Sequence, residues 1–391
     1  MKRSTDRILT THVGSLIRPA EVIAILDERV EAGTSAPFEG QDLQTVRKAI
    51  AEVMREQKDV GIDIPSDGEF SKPGFANYIT DRLTGFATVE GATGSFLLGR
   101  DRKRFLDAYN EMPGGGIGAN WTPQLTQLAC VGPITFIGQA HVQQDIDNMK
   151  AGMAETGYDE VFYPITAPGT IEQQRPNRYY NTNEEYLEAI ANAIHEECKL
   201  ATDAGFVIQI DDPRGVTAWD SMDPPPAPEE YAKFAAVRVG ALNHALRDIP
   251  EELVRYHVCW GSWPGPHTTD IDFKHIVGVT LQIKAQAYSV EAANPRHAHE
   301  YHVFEDVKLP EGKIIIPGVI AHTTNVVEHP ELVAERIVNY AERCGRENVI
   351  AAADCGFAQT YATRRVHPSI MWEKFRMLKQ GADIATKRLW G

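Results

Sequence analysis

Long apolar runs are missing from this chain. No stretch approaches the length of a membrane span, and the basic start Met1-Lys2-Arg3-Ser4-Thr5-Asp6-Arg7 is not followed by an apolar segment of signal-peptide length, so neither a membrane partner nor export is expected. Cysteine is scarce. Cys130, Cys198, Cys259, Cys344 and Cys355, an odd number scattered through 391 residues, argue against a secreted disulfide framework and fit reduced thiols in a cytoplasmic protein. Positive charge is in deficit, with 39 Lys and Arg against 54 Asp and Glu for a formal net charge of −15. No basic stripe with interleaved aromatics occurs either, and nucleic acid is therefore not an expected partner. Internal repeats and low-complexity linkers are absent too, so a single domain over residues 1–391 is expected, with 43% hydrophobic residues to fill its core. Homo-oligomer formation stays open.

What is present is an alternation of short apolar segments with helix-length ones. Eight candidate strands fall at residues 10–16, 62–66, 130–136, 207–213, 256–262, 279–291, 313–320 and 349–355. Several are almost wholly apolar, as strands of a parallel sheet buried on both faces are. Three- and four-residue apolar spacing predicts helices at 20–32, 43–60, 181–204, 229–246, 331–344 and 370–385, with Gly205 placed to end the third. The pattern breaks at 88–128, where glycine-rich pieces at 91–94 and 114–116 flank the basic patch Arg100-Asp101-Arg102-Lys103-Arg104, read as a solvated face of an insertion. It breaks again at 158–180, read as irregular. The count and alternation predict an α/β fold, a (β/α)8 TIM barrel with insertions in the βα loops. Polar, chemically capable residues gather at the C-terminal strand ends: Ser15, Glu69, Thr135, Asp211, Cys259, Glu291, His322 and Cys355. That is the barrel face where active sites form.

Within Tyr256-His257-Val258-Cys259-Trp260, extended backbone puts the His257 imidazole and the Cys259 sulfur on one face. The segments ending at Glu291 and at Asp354-Cys355-Gly356 deliver two further donors. His257, Cys259, Glu291 and Cys355 together make a tetrahedral N, S and O set suited to Zn2+, although Glu291 would as readily pair with Arg296. A rival set, His297, His299 and His302, lies on a stretch read as a solvated surface loop.

These motifs in this order carry a family resemblance: Thr11-His12-Val13-Gly14-Ser15, Asp67-Gly68-Glu69-Phe70, Val131-Gly132-Pro133-Ile134-Thr135, Gln209-Ile210-Asp211-Asp212-Pro213, His257-Val258-Cys259, Val290-Glu291, Pro317-Gly318-Val319 and Asp354-Cys355-Gly356. Over nearly its whole length the chain resembles the C-terminal catalytic barrel of the cobalamin-independent methionine synthases, in a stand-alone form. The resemblance implies a zinc-dependent alkyltransferase that activates a small-molecule thiol, most directly homocysteine, for methyl transfer from a folate or another alkyl donor. It also implies that Ser15, Glu69 and Asp211 hold the substrate's amino group, and it puts His322 at a position that acts as general acid. Asp220 or Asp223 is expected to orient His322, and Trp121, Trp260 and Trp263 are candidates to stack on a pterin ring. The wider family includes the epoxyalkane:coenzyme M transferases, the alternative reading, in which a zinc-bound coenzyme M thiolate opens an epoxide. The chain departs from the synthases in Asp211-Asp212, where Asp-Glu is usual there, and in the His-rich stretch after Glu291.

Overall fold

Segments that are apolar on both faces can be satisfied only by cover on both sides, and a ring of strands inside a ring of helices provides it. The computed structural model describes residues 1–89, 99–111 and 128–391. Among them the strands are β1 (Leu9–Thr10), β2 (Phe86–Thr88), β3 (Leu128–Cys130), β4 (Phe162–Thr166), β5 (Val207–Asp211), β6 (Val254–Val258), β7 (Ala287–Glu291), β8 (Ile314–Ile320) and β9 (Ile350–Ala353). One parallel sheet runs β1-β9-β8-β7-β6-β5-β4. The gap between β1 and β4 is filled by residues 62–65: Ile64 bridges Thr11 in parallel, Ile64 N donates to Thr10 O at 3.1 Å, and Phe162 N donates to Pro65 O at 3.0 Å. Eight parallel segments thus close the expected (β/α)8 barrel. No helix among the described residues is long and apolar enough to cross a membrane.

Two cores follow from this closure. Leu9, Ile64, Phe162, Val207, Ala287, Ile314, Ile316, Ile350 and Ala352 pack as one cluster from the strands alone, separate from the larger cluster that joins strands to helices. Local signals place the helices well. Thr182 accepts from Glu185 N at the start of Asn183–Asp203, and Gly205, at φ +91°, supplies the left-handed residue just past its end.

Three expectations need correction. Residues 130–136 are not a barrel strand: β3 pairs antiparallel with β2 beside the barrel, and Thr135 bonds Thr84 instead of facing the mouth. The barrel strand is β4, inside the stretch read as irregular. Pro164 at its centre disguised it, and Pro is tolerated there because one side of β4 meets only the short 62–65 segment, where a missing N–H costs little. Finally, 279–291 is a strand only from Ala287. Val277–Thr280 is a helical turn, and Tyr288 Oη donates back to Ile283 O at 2.8 Å, closing the turn between. Of the 88–128 insertion, the glycine-rich pieces and Trp121 lie outside the described residues. The basic patch forms the helix Arg100–Arg104, docked by Arg100 Nη2 on Trp219 O at 3.1 Å and by Asp101 Oδ1, which accepts from Thr268 N at 2.8 Å.

Below the mouth, Arg82 ties three elements together. Its guanidinium donates to Asp145 Oδ2 at 2.6 Å, to Glu197 and to Tyr163 Oη at 2.7 Å, so β4 is joined to the helices Gln139–Thr156 and Asn183–Asp203 by a buried ion network.

Candidate metal centre

His257 lies in β6 and Cys259 just beyond it, and the strand's alternation turns both inward as expected. Cys355 arrives from the loop after β9. The Cys259 and Cys355 sulfurs stand 3.7 Å apart. Both are free thiols. Two sulfurs held ~2.3 Å from one zinc in a tetrahedral shell would stand about 3.8 Å apart, so the pair already has the spacing of a shared ion. One ligand atom from each of His257, Cys259 and Cys355 falls within 4.8 Å of the others. His257 Nδ1 bonds Ser289 Oγ at 3.1 Å, its cross-strand neighbour on β7. The other ring nitrogen, Nε2, is buried with no partner. A buried polar atom without a partner is costly unless something occupies the site, and a metal held by Nε2 while Nδ1 is fixed from behind is the usual solution.

At their 3.7 Å separation either sulfur can donate a hydrogen bond to the other. Its hydrogen bond with Cys355, and then burial, push the Cys259 thiol well above its ordinary range. The same bond pulls Cys355 well below it against burial, with help from His257 and His322.

The cavity beside this trio is bordered by Ser15, Glu69, Asp211, Trp263, Gln359 and Arg365. Glu69 sits at φ +59°, held by its N–H on Asp67 Oδ1 at 2.9 Å. Burial raises its pKa to about 7, and Oε2 has no partner. Asp211 is raised well above its usual range by burial and then by Glu69, with one bond from Gln209 Nε2 at 2.7 Å. Two buried acids facing one cavity are a receptor for a cation. Ser15 reaches the wall because residue 356 is glycine: a Cβ there would collide with Ser15 Oγ.

Other expected residues lie differently. Glu291 is buried near the sulfurs but outside the three-ligand cluster. Asn294 Nδ2 is 3.4 Å from its Oε2, and burial followed by the Asp354 charge raises its pKa well above the usual range. Arg296 does not pair with it and is directed to Thr268 O at 3.5 Å. His322 is buried with both nitrogens unpartnered, and burial lowers its pKa to about 4. The expected hydrogen bond from Asp220 is not formed. Asp220 instead accepts from Asp101 N at 3.0 Å and from Thr269 Oγ1, pinning the Arg100–Arg104 helix. Asp223 pairs with Lys103 at 2.7 Å. Trp260 is packing, with Nε1 on Ile271 O at 2.7 Å, whereas Trp263 borders the cavity.

The His-rich stretch divides. His299 and His302 are exposed, as expected, but His297 is buried. It stacks 3.8 Å from Trp260 and bonds Asp270 at 2.9 Å and Glu300 at 3.2 Å; Asp270 also bonds His267 at 2.8 Å. Burial alone would lower the His297 pKa, and the two carboxylates overcome it and raise it to about 10. Because the folded value lies above the ordinary 6.5, this pairing stabilises the fold fully below that pH and is lost as pH rises through about 10. His297→Gln is therefore expected to lower the melting temperature by several degrees near pH 6 and by much less near pH 10. A gap independent of pH in thermal melts would refute the charged pairing. Sequence reading missed Ser289, the Asp270 network, Gln359 and Arg365. Of these only Ser289 carried a signal, being at the inward register of a strand that ends on Glu291.

A barrel whose C-terminal mouth holds a soft-donor trio beside two unpaired acids is an enzyme of the α/β-barrel class. The family model described as cobalamin-independent synthase, catalytic domain, matches residues 129–370, and the chain belongs to that family. Methionine synthase of Thermococcus kodakarensis is 24% identical over 347 residues, 88% of this chain and 84% of that relative. Methionine synthase of Sulfolobus acidocaldarius is 26% identical over 353 residues, covering 89% and 85%. Among solved structures, a B12-independent methionine synthase from a Shewanella species, in complex with selenomethionine, superposes with a TM-score of 0.69 at 19% identity, covering 98% of this chain and 99% of that one.

Proposed function

We propose that the protein is a zinc-dependent methyltransferase that methylates the sulfur of homocysteine, using a folate or another methyl donor. The observation that carries this reading is the 3.7 Å sulfur pair beside the unpartnered His257 Nε2, opening on a cavity bordered by Glu69 and Asp211. His257, Cys259 and Cys355 would hold the zinc, with Glu291 as a fourth donor once a cation offsets the burial and the Asp354 charge that raise its pKa. Zinc there supplies Lewis acidity that makes a neighbouring thiol a thiolate at neutral pH.

The chain's own groups do the rest. Glu69 and Asp211, with Ser15 beside them, hold the substrate ammonium, and its arrival stabilises both carboxylates as anions. His322 starts neutral, so it accepts the thiol proton on a ring nitrogen. The substrate sulfur then forms its bond to the methyl carbon as the donor's bond to that carbon breaks, and His322 returns the proton to the leaving atom. Coenzyme M fits less well, because its sulfonate would meet the two acids.

Elemental analysis is expected to find one zinc per chain, and X-ray absorption is expected to gain one sulfur neighbour with homocysteine but not with coenzyme M. Asp211→Asn is expected to keep its zinc and lose roughly 100-fold in kcat/KM for homocysteine, since a hydrogen bond to a charged group is worth ~1.5–3 kcal/mol. A protein that binds no zinc, or that gains sulfur only from coenzyme M, would overturn the reading.

A further inference from the structure

Arg365 has no role in the chemistry above, yet it borders the same cavity as Glu69, Asp211 and Cys355. Its geometry is specific. Nε donates to Gln359 Oε1 at 3.3 Å, and Gln359 Nε2 in turn donates to Gly356 O, so one amide fixes the guanidinium relative to the Cys355-Gly356 turn. Among the described residues the two Nη groups have no carboxylate partner. Burial lowers the Arg365 pKa to about 10, with the Cys355 charge working against it. Arg365 is half-buried at the edge of the cavity, and a guanidinium there with no carboxylate partner is a ready donor fork for an anion.

The cavity therefore offers acceptors at Glu69 and Asp211 and a planar donor fork at Arg365, all bordering one sulfur pair. A thiol carrying only an anion would leave the acids unpaired, and one carrying only an ammonium would leave the guanidinium unpaired. A thiol that is also an α-amino acid satisfies both. We propose that Arg365 is a specificity-determining residue that binds the carboxylate of a thiol amino acid, with Gln359 as its positioning residue. This rests on the thiol methylation proposed above.

Isothermal titration of the zinc-loaded full chain with homocysteine, its decarboxylated analogue (an aminopropanethiol) and its deaminated analogue (a mercaptobutanoate) tests it. Wild type is expected to bind homocysteine about 10- to 100-fold more tightly than the aminopropanethiol. R365Q is expected to lose that advantage while holding the aminopropanethiol within about twofold of wild type, which also shows that the variant is folded. R365K is expected to recover only part, because an ammonium keeps the charge without the fork. R365Q binding homocysteine as wild type does, or weakening both thiols equally, would overturn the assignment and leave thiol methylation standing. Wild type binding none of the three would instead overturn the thiol reading itself.

Discussion

Cys355→Ser is expected to leave the barrel folded and to remove both its metal and its activity. Cys355 lies in a loop past β9 and is only part-buried, so its loss opens no core cavity, and the change in intrinsic stability is expected to stay within about 1 kcal/mol. The metal is another matter. Even outer partners of metal ligands cost about 10- to 100-fold in affinity when removed, and Cys355 is one of three donors in direct reach of the site. Turnover is expected to fall at least about 1000-fold, since without zinc a thiol near neutral pH stays mostly protonated. Melting behaviour separates a lost metal from a lost fold. Zinc at about 100 times its dissociation constant stabilises a binding protein by ~2.7 kcal/mol. Added zinc is thus expected to raise the melting temperature of wild type and not of the variant, while the metal-free proteins melt together. A Cys355→Ser protein that keeps stoichiometric zinc and wild-type turnover would remove the sulfur pair from the mechanism.

Arg82→Met is expected to produce a large loss of stability. The guanidinium lies between Asp145 and Glu197, all three essentially without solvent contact. Removing one partner of such a network leaves uncompensated buried charge, which costs ~3–5 kcal/mol, against a total of only ~5–15 kcal/mol for a typical domain. Burial would raise the Asp145 pKa, and Arg82 reverses this and holds it below the ordinary 3.8. In wild type that contribution is present above pH 3.8 and is lost as pH falls through the lower folded value. In the variant the carboxylate is pushed up instead, so the damage grows with rising pH and shrinks in acid. Urea unfolding at about pH 5 and pH 8 checks the trend. The triple variant Arg82→Met, Asp145→Asn, Glu197→Gln is expected to recover much of the loss, because it leaves no buried charge unpaired. Equal stability of wild type and Arg82→Met would show that the network is solvated.

The chain itself determined whatever depends on near neighbours. His257 and Cys259 share a face because extended backbone alternates, strands buried on both sides read as apolar runs, and Thr182 and Gly205 mark the limits of a helix. Strand ends bearing Ser15, Glu69, Asp211 and Cys355 were visible for the same reason. Where a local cue conflicted with the ring, tertiary structure prevailed: Pro164 masked β4, and the apolar Cys130 stretch joined β2 and not the barrel. Distance was decided only by closure. Cys259 and Cys355 are 96 residues apart in the chain and 3.7 Å apart in the fold. Asp220, expected to orient His322, is occupied by Asp101 and Thr269. Arg365 gave no sign, and His297 read as one of a solvated group although Glu300 lies three residues on, because a cation's meaning depends on which acids the fold puts within reach of it, and burial and the approach of Asp270 are set by how the strands and loops meet around the barrel.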